Sequence, residues 1–165
     1  MRVSDATGHG SLTHPTKIRY QHGPTRRLDI AGTPAGVGLA RTWLRAFLDR
    51  IPMTAAEAEN ITLLTSELVT NAIVHSKSSH GEVTVLLDLT CSRVRVDVID
   101  DGSALEPVVI HQAPDSEGGR GLWLVDRTAD RWGHYHDEHG LGVWFEVELM
   151  GCHTLYELAT DGDRA

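Results

Sequence analysis

Residues 66–76 read Ser-Glu-Leu-Val-Thr-Asn-Ala-Ile-Val-His-Ser. Glu67, Asn71 and His75 fall four residues apart, and side chains at i and i+4 share one face of a helix. Beside this polar stripe runs an apolar one of Ile61, Leu64, Leu68 and Ala72. Asn competes for its own backbone and is a poor residue for a helix interior. A fold containing this helix must bury one stripe and present the other to something polar. Taken alone, two polar residues of this kind are simply a solvated helix face. Two glycine-containing segments further along change that balance: Asp100-Asp101-Gly102 and Gly118-Gly119-Arg120-Gly121.

The chain around these motifs divides into short elements. Residues 26–30 read as a strand. Thr33-Pro34 reads as a helix start, with Thr as N-cap and Pro in the first turn. Val37, Ala40, Leu44, Phe47, Leu48 and Ile51 continue it at helical spacing until Pro52. Thr54 and Glu57 form a capping-box pattern opening a helix over 55–74. Residues 82–89 and 93–99 alternate as two strands joined by a short hairpin. A loop with Pro107, Pro114 and Gly118 follows, then a helix over 121–130. Strands at 131–137 and 142–150 close the series around His139-Gly140. Helices come in blocks and do not alternate strictly with strands. That order predicts an α+β fold, a two-layer α/β sandwich with helices on one face of a mixed, mostly antiparallel sheet. Residues 1–25 and 151–165 are expected to be tails around one domain at 26–150.

Charge and composition narrow the partners. The 165 residues carry a formal charge of −8. Arg2, Lys17 and Arg19 against Asp5 make the first 25 residues +2, leaving −10 for the rest. Such an acidic body is expected to avoid nucleic-acid phosphates, which need a basic face. Two cysteines, Cys91 and Cys152, imply no disulfide framework. No apolar run approaches the roughly 20 residues of a membrane helix, and no leader is visible. The expectation is a cytoplasmic protein without a membrane partner.

Each motif has a chemistry. Asp100 continues the parity of Val94, Val96 and Val98, so it should face the core as its strand ends. A buried carboxylate needs hydrogen-bond donors, and the amino group of an adenine is one; Gly102 would let the backbone turn closely beneath the base. The plainer alternative is a turn, since Asp-Asp-Gly often ends a strand. Gly119, Arg120 and Gly121 open a helix whose free N–H groups suit phosphate, with Arg120 as a charged partner; a flexible linker is the alternative. No Lys-Ser or Lys-Thr follows, so this is not a Walker loop. An Asn oxygen at position 71 suits Mg²⁺, and Glu67 suits a general base. His134, His136 and His139 resemble a metal set, but no Cys lies near, and solvent-facing strand histidines are the preferred reading. Trp43, Trp123, Trp132 and Trp144 read as core or half-buried residues.

Together these residues resemble the GHKL ATPase superfamily, whose members share the Bergerat ATP-binding fold. E-L-V-T-N-A-I-V-H at 67–75 looks like its N-box, D-D-G-S-A at 100–104 its D-x-G-x-G box, and G-R-G-L-W-L-V at 119–125 its second glycine box. The likeness covers roughly residues 26–149. More narrowly, L-V-D-R-T-A-D-R-W-G at 124–133 and G-V-W-F-E at 142–146 resemble small bacterial anti-sigma-factor serine kinases of the RsbW and SpoIIAB type. The resemblance implies ATP and Mg²⁺ as cofactors. It makes Asn71 the metal ligand, Glu67 the catalytic base and Asp100 the adenine contact. Gly102, Gly119, Arg120, Gly121 and Leu122 would complete the nucleotide site. It further implies a homodimer, with a STAS-domain anti-anti-sigma protein and a sigma factor as partners. Two departures stand out: Ala104 replaces the last Gly of the D-x-G-x-G box, and Gly142 stands where many relatives have a Thr near the adenine.

Three activities fit: a Mg·ATP-dependent serine/threonine kinase, an ATP-dependent binding module with little phosphoryl transfer, and the detached ATP-binding domain of a histidine kinase. The third needs a helical hairpin with a phosphoacceptor His upstream. Residues 1–25 are too short and too rich in Gly and Pro to supply it.

Overall fold

The structure is a computed structural model and describes residues 25–75, 81–90, 92–101, 120–137 and 140–150. Five strands form one sheet: β1 (Arg26–Ala31), β2 (Glu82–Leu89), β3 (Arg93–Asp100), β4 (Arg131–Asp137) and β5 (Gly140–Glu148), in the order β1-β2-β3-β5-β4. Every pairing is antiparallel, so the described sheet has no parallel component. Helices α1 (Pro34–Leu48), α2 (Ala55–His75) and α3 (Arg120–Thr128) complete the described elements. The last strand begins at Gly140, earlier than residue 142, because its pairing with β4 continues to Asp137. Gly140 turns the chain there with φ 139°, a conformation that favours glycine.

Strand alternation sorts the sheet into two unlike faces. Val83, Val85, Leu87, Val94, Val96, Val98, Phe145 and Val147 join Leu44, Leu48, Ile61, Leu64, Leu68 and Val125 of the helices in one buried cluster. The other face is polar. Arg95 donates to both oxygens of Asp97 at 2.8 and 2.9 Å and to Glu146 at 3.3 Å, and its guanidinium lies 4.0 Å from the centre of the Trp144 ring. Glu146 is 1% exposed and Asp97 6%. Burial pushes the Asp97 carboxyl up, against the bonds from Arg95 that pull it down. Burial also works against the Arg95 charge, but Asp97 and Glu146 outweigh it and hold that guanidinium above its ordinary range. On this same face Trp144 lies over Gly133, where a Cβ would be a tight fit, and the Tyr135 ring covers Gly142, which leaves no room for a Cβ there.

The helix starts use different chemistry. Thr33 occupies the N-cap of α1 with φ −122° and Pro34 follows, but the Thr33 side chain makes no capping bond; its carbonyl accepts from Gly36 N–H at 2.8 Å. The capping box of α2 forms in full: Thr54 N–H donates to Glu57 Oε2 at 2.6 Å, and Glu57 N–H donates to Thr54 Oγ1 at 3.1 Å. The second Glu57 oxygen accepts Met150 N–H at 2.8 Å, joining the end of the sheet to the start of α2. Along α2, Thr62, Thr65, Ser66 and Thr70 each donate a hydroxyl to the carbonyl four residues back. Polar side chains are thereby satisfied inside a packed layer. Ser66 Oγ also accepts Arg41 Nε of α1 at 2.8 Å.

Glu57→Ala removes an N-terminal cap and the Met150 tie, and should cost about 1–2 kcal/mol of stability. Burial opposes the Glu57 carboxylate, but donors from Thr54 and Met150 win and lower its pKa. A lowered carboxylate stabilises above its unfolded pKa and loses that contribution as pH falls. The melting-temperature gap between wild type and Glu57→Ala should therefore close on acidification through the carboxylate range. A gap independent of pH would contradict the assignment.

Candidate functional site

The candidate site residues lie on α2, on α3 and at the end of β3, and α2 packs against both of the others. On α2 the apolar stripe is inside, with Ile61, Leu64, Leu68 and Ala72 all buried. Glu67 and Asn71 lie half-buried on the neighbouring stripe. Against them comes Gly121, in the first turn of α3. A Cβ at Gly121 would stand 2.8 Å from Glu67 Oε2, 3.1 Å from Asn71 Nδ2 and 3.3 Å from Glu67 Cβ. Two motifs some fifty residues apart are thus in contact, and glycine makes that contact sterically possible. Leu122 is buried in the core cluster and anchors α3 there, while its N–H is one of the four left unpaired by helix geometry at the start of α3.

Asp100 is 5% exposed and faces the helix side, as its parity predicts. Its neighbours across the strands are Val83 on β2 and Leu141 on β5, both buried. Asp101 points the other way and accepts Glu82 N–H at 3.1 Å, which pins the strand end. The two adjacent carboxylates therefore split into an inward group and a structural clamp.

Among the described residues no hydrogen bond claims the side chain of Glu67 or Asn71. No group of three His, Cys, Asp or Glu could hold a metal among them either. An unclaimed amide, a nearby carboxylate and a helix start with glycine at 121 fit a hard cation held mostly by phosphates and water. Gly102, Gly119, Ala104 and His139 lie outside the described residues, as do the side chains of His75 and Arg120.

Two expectations change. Gly142 pairs with Ile99 and Tyr135, so it belongs to the outer face and is not beside Asp100; the β5 residue opposite Asp100 is Leu141. His134 is not a solvent-facing strand histidine. It is half-buried on the helix side of β4, and its Nδ1 is buried without a hydrogen-bond partner among the described residues. His136 is exposed. The sequence signal for His134 was its shared parity with Trp132, whose Nε1 donates to Asp126 of α3 at 2.9 Å.

Comparison with known proteins agrees with this architecture. The family model described as "Histidine kinase-like ATPase domain" matches residues 30–147. The serine-protein kinase RsbW of Bacillus subtilis is 28% identical over 116 residues, covering 62% of this chain and 72% of its own. An anti-sigma F factor of Caldanaerobacter subterraneus is 33% identical over 99 residues, covering 55% and 69%. A crystal structure of the RsbU and RsbW domains of a Mycobacterium tuberculosis protein superposes with a TM-score of 0.60 at 21% identity. That match covers 77% of this chain and 33% of the other, so the chain spans about a third of that protein's length. At that identity the superposition speaks for the fold alone. Fold, motif order and family match converge: the chain belongs to the histidine kinase-like ATPase domain family.

Proposed function

We propose that this protein is an ATP-dependent serine/threonine protein kinase that phosphorylates a STAS-type anti-anti-sigma protein and sequesters a sigma factor. The observation that carries the reading is the contact of Gly121 with Glu67 and Asn71, which sets a candidate base and a candidate metal ligand against a helix start. The names of the relatives, a serine-protein kinase and anti-sigma factors, support the choice of client. Bound ATP supplies the phosphoryl group. Asn71 would hold Mg²⁺, Asp100 would accept from the adenine amino group, and the N–H groups of the first α3 turn would face phosphate oxygens. Glu67 would accept the proton of the incoming hydroxyl.

The partner surface in this proposal is protein. The acidic body, −10 over residues 26–165, supports that by repelling nucleic-acid phosphates. Among the described residues no helix is long and apolar enough to cross a membrane. Nucleotide state would select the partner through differential affinity of the ATP and ADP forms. Recovery of a STAS protein or a sigma factor with the tagged protein from its host, with each nucleotide added, tests the clients. Recovery of neither would remove the anti-sigma role.

Asp100→Ala should weaken Mg·ATP binding by about 1–3 kcal/mol, since a buried donor on the base loses its partner. Calorimetry decides; equal affinities would take Asp100 out of the site. Glu67→Ala should keep nucleotide affinity and lose phosphoryl transfer to a STAS protein in a radiolabel assay. Transfer at the wild-type rate would leave the kinase reading without its base, and no transfer by the wild type would leave a nucleotide-dependent binding module.

Gly121→Ala isolates the contact itself. The new methyl group meets the side-chain ends of Glu67 and Asn71 and, less tightly, Glu67 Cβ, and Ala favours a helix by about 1 kcal/mol over Gly. The melting temperature should stay near that of wild type while transfer falls roughly tenfold or more, because the carboxylate is displaced. Unchanged transfer would show that the close approach is packing alone.

A further inference from the structure

β1 forms one edge of the sheet: it pairs with β2 on one side, and among the described residues no strand lies on the other. An edge strand presents a row of N–H and C=O groups open to another chain. α1 packs on β1 and α2, and α2 on β2 and β3. Arg41 marks the α2 side of α1, since its Nε reaches Ser66 Oγ at 2.8 Å. At about 3.6 residues per turn, Leu39, Trp43 and Phe47 fall on the opposite flank, toward the free edge of β1. Leu39 is 60% exposed; Trp43 and Phe47 are partly buried, their rings meeting edge to face at 5.2 Å. An apolar stripe at i, i+4 and i+8 thus flanks the open backbone groups. Its rim is cationic. Arg26 and Arg50 lie over the Phe47 ring at 5.6 and 5.8 Å. Neither makes an ion pair among the described residues. Residues 26–50 hold five arginines against Asp29 and Asp49, a charge of +3 in a chain of −8.

We infer that this edge is a docking site for an extended, acidic segment of a protein partner, added to the sheet as a strand beside β1. Such a strand would lie about 4.8 Å from β1 and take its main-chain hydrogen bonds from the free edge. Every second side chain would turn toward the helix layer and meet Leu39, Trp43 and Phe47. Carboxylates along the segment would face Arg26 and Arg50. Charge selects this occupant over the others. A second copy would bring a +3 surface against its own likeness, and residues 1–25 carry +2 themselves. Charged side chains on an edge strand ordinarily keep other strands off; arginines repel a basic strand and attract an acidic one. Nucleic acid would meet the same cations but offers no hydrogen-bond ladder to the edge. β1 lies across the sheet from β4, where α3 packs, so the inference does not rest on the nucleotide reading.

The test is a selection from a random peptide library displayed on phage, against the immobilised full-length protein, followed by calorimetry with the enriched peptides made synthetically. Enriched peptides should be acidic, with apolar residues at every second position. Leu39→Glu, and Arg26→Glu combined with Arg50→Glu, change exposed side chains. Each should weaken peptide binding roughly tenfold or more, as loss of an interface anchor does, while the melting temperature stays at the wild-type value. Methylating the backbone nitrogens of alternate peptide residues tells a strand from any other bound form. One alternate set should abolish binding to the wild-type protein and the other should leave it intact. No enrichment, basic peptides, binding unaffected by Leu39→Glu, or equal effects of the two methylated sets overturns the inference. Displacement of the peptide by Mg·ATP also overturns it, by moving the peptide to the other cleft. Hydrogen exchange of the free full-length protein reports prior occupants. Protection of the β1 amides that do not bond to β2 would mean that the chain itself or a second copy already covers the edge, and would overturn the inference. Binding of an oligonucleotide that is lost on Arg26→Glu, with no peptide enriched, would assign the edge to nucleic acid instead.

Discussion

The arrangement of the site depends on a contact made without a side chain. α3 reaches α2 closely enough that one methyl group at Gly121 would touch both Glu67 and Asn71. A carboxylate and an amide on a long helix are ordinary surface chemistry until something converges on them. Here the opposing surface is backbone, at a helix start whose first N–H groups have no partner within the helix. Leu122 and Val125 then drive the rest of α3 into the core, so the approach is held by apolar burial. Packing and chemistry occupy successive residues of one short helix.

The sheet supports this by having two dissimilar faces. Its helix side is apolar along β3 until Asp100, where the alternation delivers a carboxylate to the cleft. Its outer side carries Arg95, Asp97 and Glu146 in a bonded group beneath an indole ring. Because the pleat has a period of two, a one-residue slip would send those charges into the core and Val94, Val96 and Val98 out. The outer network therefore supports the register on which the inward direction of Asp100 depends. Removing one member of such a buried set leaves uncompensated charge.

Most of this fold was legible in the sequence because its elements carry local signals. Alternation marked β2 to the residue, the hairpin signal at His139-Gly140 bounded β4, and Thr54 with Glu57 announced the start of α2 before any contact was known. Glu67, Asn71 and Gly121 were each marked by local signals, i, i+4 spacing and a glycine helix start, and the family resemblance joined them into one set. Strand order was not legible. That β5 lies between β3 and β4 is a long-range fact, and it decides that Leu141, and not Gly142, stands beside Asp100. His134 was hidden for a related reason. Both parities of β4 carry aromatic or imidazole side chains, Trp132, His134 and His136 against Tyr135, so alternation alone does not say which side is inside. Only the bond from Trp132 to a helix residue settles it.

The grip of Glu57 on Met150 spans 93 positions of chain. A nascent chain leaves the ribosome from its N-terminal end, so α2 emerges long before the partner of its own first turn. Until residue 150 arrives, one oxygen of that carboxylate has only water to accept from. The first turn of α2 can close early through Thr54 alone, while the other carboxylate oxygen waits for the last strand, a long-range contact of the kind that forms late. One carboxylate thus serves two stages of folding, capping its own helix first and then tying that helix to the end of the sheet through a late backbone N–H.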